Sequence, residues 1–266
     1  MLSSDAGGAQ GGARLLEYSV CIEMVFGGTD YLDKIRKVRE AGFGAFEFWS
    51  WWDKDLDAVT AAAKENGLAI SAICAKPASL TEPSGRQAFV EALRSSVDAA
   101  RRVGARSLIA QTGQDTGADR GLQWLSVVSG LKAAAPMLER AGLTLLVEPL
   151  NTIADHKGYF LWSSSEAYDI VDAVGSPSVK VLFDIYHQQI MEGNLISNIA
   201  GGIGRIGHFH AAGNPGRHDP FDGEINYPEV LKAIGKMGYS GYIGLEYSPL
   251  GDPIESLARV RKDMPI

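Results

Sequence analysis

From Leu15 onward, short apolar runs alternate with longer stretches whose apolar positions recur every three or four residues. The short runs predict strands over residues 18–24, 45–48, 69–74, 107–110, 144–147, 179–183, 206–209 and 242–245. Most are too continuously apolar for a sheet with one wet face, so they read as strands buried on both. The longer stretches predict helices over 31–40, 56–65, 86–102, 122–140, 163–174 and 227–237, with shorter ones near 195–199 and 254–262. Gly42 and Asn66-Gly67 are helix stops, and Ser163 to Ser165 with Glu166 supply a start. Strict alternation implies a parallel sheet, and eight repeats in 266 residues imply a closed (β/α)8 TIM barrel, which takes about 250 residues. The rival is an open doubly wound sheet. That fold would bring a glycine-rich turn after the first strand, and Gly27-Gly28 lacks the spacing.

The last four strands share a second feature. Leu145-Leu146-Val147 runs into Glu148, Val181-Leu182-Phe183 into Asp184, and Ile206-Gly207-His208-Phe209 into His210. The final strand, Tyr242-Ile243-Gly244-Leu245, runs into Glu246. A charged side chain is costly in a doubly buried strand except at its end, where the chain leaves the core. A single strand-end Glu is more often solvated or salt-bridged than a ligand. Four such ends in parallel neighbours converge, on the face where barrels carry chemistry.

Three carboxylates and one imidazole suit one divalent ion of intermediate hardness, Mn2+, Mg2+ or Co2+. The absence of cysteine from the set argues against structural zinc. With a hydroxy-carbonyl compound polarised by such an ion, the adjacent carbon can lose a proton to give an enediolate. A base is then needed on each face of the substrate plane, and Glu148 and Glu246 are the candidates.

Two residues on the following loops are substrate-binding candidates. His187, three positions after Asp184, could donate to a substrate oxygen; a surface or capping histidine is the plain alternative. Arg217, in the flexible-looking loop Gly213 to His218, could grip a carboxylate or hydroxyls with two prongs. Trp49, Trp51 and Trp52 follow the second strand, either walling a pocket or simply packing.

Composition narrows the function class. Hydrophobic content of 45% and charged content of 21% are ordinary for a globular chain. A net charge of −7 argues against broad binding to nucleic acid or an anionic membrane. No apolar stretch approaches the roughly 18 residues of a membrane span. Residues 1–14 are Gly/Ala/Ser-rich without the charged start and apolar core of a signal peptide, so they read as a disordered tail before one domain over 15–266. Cys21 and Cys74 sit in strand-like runs and read as buried reduced thiols, and the expected location is cytoplasmic. A homo-oligomer, dimer or tetramer, is compatible with all of this.

Several motifs together resemble the hydroxypyruvate isomerase family, within the xylose-isomerase-like barrels. They are Leu146-Val147-Glu148-Pro149-Leu150-Asn151-Thr152, Gly158-Tyr159-Phe160-Leu161 and Phe183-Asp184-Ile185-Tyr186-His187 with Gln189 to Leu195. Gly216-Arg217-His218, Gly223-Glu224-Ile225-Asn226-Tyr227-Pro228 and Gly244-Leu245-Glu246-Tyr247 complete the set. The match is dense from about Thr144 to the C-terminus and thin before it. The resemblance implies metal ligands at Glu148, Asp184, His210 and Glu246, an acid/base pair of Glu148 and Glu246, and substrate contacts from His187 and Arg217.

It also implies interconversion of hydroxypyruvate and tartronate semialdehyde. Two departures from the family pattern, and one from the epimerase pattern that points the other way, bear on that. Family members usually carry Gln at the third ligand, where His210 is similar to the ketose 3-epimerases. Those epimerases commonly have Glu six residues after the fifth-strand Glu, where this chain has Ala154. The segment Phe46 to Trp52 also differs from the family pattern. A ketose 3-epimerase or another keto-sugar isomerase is therefore the alternative. An endonuclease IV-like phosphodiesterase would want several metals and a basic face, which five histidines and a charge of −7 do not supply. A sugar-binding barrel without turnover would need no base on each face.

Overall fold

The computed structural model describes residues 16–28 and 30–266, so the expected tail at 1–14 lies outside the described residues. Eight strands close in chain order into a barrel: β1 (Glu17–Cys21), β2 (Ala45–Phe48), β3 (Ala69–Cys74), β4 (Ser107–Ala110), β5 (Thr144–Val147), β6 (Val179–Asp184), β7 (Ile206–Ala211) and β8 (Tyr242–Leu245). Every pairing is parallel, and the ring closes where β1 lies against β8, with Val20 opposite Leu245. The open-sheet rival is thereby excluded. Around the ring run α1 (Ile22–Val25), α2 (Tyr31–Glu40), α3 (Leu56–Glu65), α4 (Arg86–Val103), α5 (Arg120–Ala141), α6 (Ser164–Val174), α7 (Ile185–Met191), α8 (Leu195–Gly202), α9 (Tyr227–Lys236) and α10 (Pro253–Asp263).

Local sequence sets the helix ends. The side chains of Asp30, Asp55, Asp119, Ser163, Asn226 and Asp252 each accept a backbone N–H of the first turn, satisfying donors that the helix itself leaves open. Gly104, Gly142 and Gly175 stop α4, α5 and α6 in the left-handed conformation that a side chain would resist.

Two elements differ from expectation. The first strand ends at Cys21, and Ile22–Val25 turns as a helix. Ile22 and Val25 are themselves buried, so the apolar run continues unbroken across the strand–helix boundary. Periodicity cannot divide such a run. The segment after Asp184, read as a loop, is the helix α7, and the Asp184 side chain starts it by accepting from the N–H groups of Tyr186 and His187. Strand and helix abut there without a linking turn, which removed the usual punctuation.

One apolar core lies between strands and helices, and a smaller one, Ala72, Ile109, Leu146 and Leu182, forms a separate cluster. Ser19, Glu47, Ser71 and His208 make a buried polar group linked by hydrogen bonds. Two irregularities fit it. Phe46 and Phe48 of β2 oppose Ile70 and Ile73 of β3, so β3 carries one extra residue. Val181 and Leu182 of β6 oppose Ile206 and His208 of β7, so β7 carries one at Gly207. A Cβ on Gly207 would lie 2.8 Å from Leu146 Cδ2 and from Lys180 Cβ, so the bulge needs glycine.

Gly244 in β8 is under a similar constraint. Its Cβ would stand 2.5 Å from both Glu47 Oε1 and His210 Cδ2. Glu47 is held by His208 and Ser71 and has little room to yield. Gly244→Ala should cost about 1–3 kcal/mol by overpacking. Gly251→Ala, with nothing within 4 Å, should stay within about 0.5 kcal/mol. Urea unfolding of both variants checks this, and equal stabilities would contradict it.

Candidate active site

The four strand-end residues meet. Glu148 follows β5, Asp184 ends β6, His210 lies near the end of β7 and Glu246 follows β8. One ligand atom of each lies within 4.8 Å of all the others, and all four residues are buried. His210 Nδ1 stands 3.0 Å from Glu246 Oε2 and 3.7 Å from Glu148 Oε1. The Arg217 guanidinium contacts Glu246 Oε2 and lies 3.4 Å from Asp184 Oδ2. Trp49 Nε1–H donates to Glu246 Oε1 at 2.7 Å.

Electrostatics push the two glutamates apart. Burial and then the neighbouring Glu246 charge raise Glu148 above the ordinary carboxylate range. Burial would raise Glu246 too, but His210 and Arg217 outweigh it and hold that carboxyl low. His210 is raised because Glu246 and Glu47 outweigh its own desolvation. Glu148 Oε1 and His210 Nδ1 are buried without a hydrogen-bond partner among the described residues. Three buried carboxylates converge here on one imidazole and one guanidinium. Extra positive charge at their centre would relieve the repulsion and engage the two orphaned atoms. The buried cluster is thus consistent with a divalent metal site, and its oxygen-rich donor set fits a hard or intermediate ion.

Beside the cluster opens a cavity of about 300 Å3. Trp49, Trp52, Phe89 and Leu150 supply apolar wall, and Lys76, Gln111, His156, His187 and Arg217 supply polar groups. Such a lining suits a small polar molecule. Of the three tryptophans, Trp51 is not in this wall and packs edge-on against Trp52, ring centres 5.7 Å apart. Cys21 and Cys74 are both free thiols raised by burial; Cys21 is buried as expected, whereas Cys74 is only half-buried and lines the cavity.

Residues 35–264 match the sequence profile of the Xylose isomerase-like TIM barrel family. The chain belongs to that family. It is 30% identical over 244 residues to hydroxypyruvate isomerase of Escherichia coli K12, covering 88% of this chain and 94% of that one. It is 32% identical over 241 residues to 2-oxo-tetronate isomerase of Cupriavidus necator, covering 87% and 92%. Among solved structures it is similar to a Brucella melitensis protein described as an AP endonuclease, family 2, with TM-score 0.88, 32% identity and coverage of 93% and 99%.

Within this family's barrel, the structure brings His187 and Arg217 to the cluster. Asn151 Nδ2 donates to His187 Nδ1 at 2.7 Å, while Asn151 Oδ1 accepts from the N–H groups of Ala154 and Asp155. The amide orientation is therefore fixed, and the His187 proton sits on Nε2, 3.5 Å from Asp184 Oδ2. Burial pushes His187 down to about 4, leaving a neutral ring with one N–H to offer. Asn151 was not anticipated; its place three residues past a strand-end Glu was the available signal. Arg217 stands on a loop closed by Gly213 N–H to His218 O at 2.7 Å and Glu224 N–H to Asn214 O at 2.9 Å, a knot in place of the free loop expected. In this state the guanidinium engages protein carboxylates.

Glu47 was also missed as a site residue. Its Oε2 lies 2.9 Å from His208 Nε2 and its Oε1 2.9 Å from His210 Nε2. The two imidazoles outweigh the cost of burial and hold Glu47 at about 2. A glutamate in the middle of the apolar run Ala45–Phe48 carried the same signal as the strand-end acids.

Tyr159 fixes the backbone beneath Glu148. Its hydroxyl donates to Glu148 O at 3.1 Å and accepts from Thr112 N–H at 2.7 Å. Tyr159→Phe leaves that buried N–H unpaired and should cost about 1–3 kcal/mol. An unchanged urea midpoint would contradict this role.

Proposed function

We propose that this chain is a divalent-metal-dependent isomerase of a small hydroxy-carbonyl acid, with hydroxypyruvate and tartronate semialdehyde as the reacting pair. The observation that carries the reading is the placement of Glu148 and Glu246 in one cluster, on strand ends separated around the barrel by Asp184 and His210. Glu148, Asp184, His210 and Glu246 would hold the ion, Mn2+, Mg2+ or Co2+. A divalent ion held there would supply Lewis-acid charge to offset the negative charge that develops as a C–H bond breaks.

The remaining steps belong to the side chains. One of Glu148 and Glu246 removes the proton from carbon 3 of hydroxypyruvate, and the other delivers a proton to carbon 2, while the hydroxyl proton passes from the oxygen on carbon 3 to the oxygen on carbon 2; the reverse direction exchanges the roles. Each carboxylate is buried beside the cavity, where a base works without competition from water. His187 Nε2–H donates to a substrate oxygen in this scheme, and Arg217 turns a prong toward the substrate carboxylate. Trp49 holds Glu246 in place through Oε1. The relatives named for hydroxypyruvate and for 2-oxo-tetronate support a keto acid as substrate.

A second reading, a ketose 3-epimerase, is favoured by histidine rather than glutamine at position 210. The phosphodiesterase reading gains only the name of the Brucella protein. A partly apolar cavity of about 300 Å3 and a net charge of −7 suit a small acid better than a nucleic acid backbone.

Turnover in D2O separates these readings. Acting on hydroxypyruvate, the two-glutamate scheme places deuterium at carbon 2 of tartronate semialdehyde and, through the reverse reaction, at carbon 3 of hydroxypyruvate. A 3-epimerase labels carbon 3 of a ketose whose carbonyl stays at carbon 2. Intact transfer of the substrate hydrogen, seen by NMR of the product, would rule out the proton-transfer scheme.

The ligand assignment has its own test. Asp184→Asn and His210→Ala should lose bound Mn2+ and activity together while the far-UV circular dichroism stays that of the parent. Full metal occupancy in both variants by elemental analysis would remove these residues from the site.

A further inference from the structure

We propose that Glu47 is a positioning residue for His210, gripping the ring at Nε2 so that Nδ1 faces the space shared with Glu148, Asp184 and Glu246. The inference rests on the metal reading of that cluster and extends it one layer deeper into the barrel.

The geometry is specific. Glu47 spans two imidazoles of one strand, with Oε2 at 2.9 Å from His208 Nε2 and Oε1 at 2.9 Å from His210 Nε2. His208 and His210 are two apart in β7, so both project to the same side of the sheet. The Ser71 hydroxyl donates to Glu47 Oε2 at 3.1 Å, and Ser71 is in turn hydrogen-bonded to Ser19. All of these side chains are buried. Among the described residues, Glu47 Oε1 and His210 Nε2 are both buried without a hydrogen bond of full geometry, and they stand 2.9 Å from each other.

The backbone makes room for the pair. Gly244 lacks the Cβ that would strike both Glu47 Oε1 and His210 Cδ2, and the bulges in β3 and β7 lie beside Ser71 and His208. A buried carboxylate is expensive, and apolar filler would pack the same space at lower cost. Its presence there is explained if it does something for His210. An imidazole whose one nitrogen donates to a carboxylate has a fixed tautomer and a more basic second nitrogen, which makes it a better ligand. The sequence-level departure at position 210 gains a reason as well, since a histidine there reaches Glu47 from one ring nitrogen and the cluster from the other.

The test is Mn2+ titration of metal-free wild-type, Glu47→Gln and Asp184→Asn proteins by calorimetry. Glu47→Gln should bind about 10–100-fold more weakly, the usual effect of losing such a partner, and Asp184→Asn should not bind. Wild-type affinity in Glu47→Gln, with binding lost in Asp184→Asn, would overturn the role of Glu47 and leave the metal site standing. Wild-type affinity in Asp184→Asn would overturn the metal reading itself, and this inference with it.

A second measurement needs no Glu47 variant to fold. In 15N-histidine wild-type protein loaded with Mg2+, His210 should carry its proton on Nε2, with the resonance assigned by its loss in His210→Gln. A proton on Nδ1 would overturn the proposal. A metal held at Nδ1 itself leaves the proton on Nε2, so the tautomer reports which ring nitrogen faces the cluster, and the titration isolates the part played by Glu47.

Discussion

Buried negative charge is the constraint that shapes this barrel. Glu47, Glu148, Asp184 and Glu246 are all withdrawn from water, and each would cost several kcal/mol if left uncompensated. Compensation comes in two tiers. In the deeper tier Glu47 has two imidazoles and the Ser71 hydroxyl. In the upper tier three carboxylates share His210 and Arg217, and Glu148 remains raised because that is too little positive charge. His210 belongs to both tiers and couples them.

The fold is arranged to tolerate this. Parallel strands bring consecutive strand ends to one face, so residues from 148 to 246 become neighbours without long loops. Asp184 is both a member of the cluster and the cap of α7, a double role that fixes its carboxylate and delivers His187 within 3.5 Å. Asn151 then sets the tautomer of His187, and Trp49 and Arg217 hold opposite oxygens of Glu246. In the proposed scheme, function and stability use the same side chains. Substitutions at these positions therefore act on both.

Much of this was legible in the chain. Alternating apolar runs with capped helices specified the barrel, and four strand-end polar residues specified the cluster, because burial leaves a charged side chain few places to stand. What was not legible depends on contacts across the barrel. Glu47 marks itself as a charge inside an apolar strand, but only the closed ring shows that it faces His208 of β7, 161 residues away. The start of α7 was hidden because Asp184 ends a strand and caps a helix at once. The β3 and β7 bulges leave no mark beyond Gly207. The tryptophan cluster separated in space, with Trp49 and Trp52 on the cavity and Trp51 packed behind them.

The most direct test of the account is a crystal structure of the protein grown with Mn2+, with anomalous scattering recorded at the manganese edge. The account predicts one anomalous peak among Glu148, Asp184, His210 and Glu246, bonded to Nδ1 of His210 while Nε2 keeps its contact with Glu47. A peak held by other residues, or a manganese-binding protein with nothing at this cluster, would contradict it.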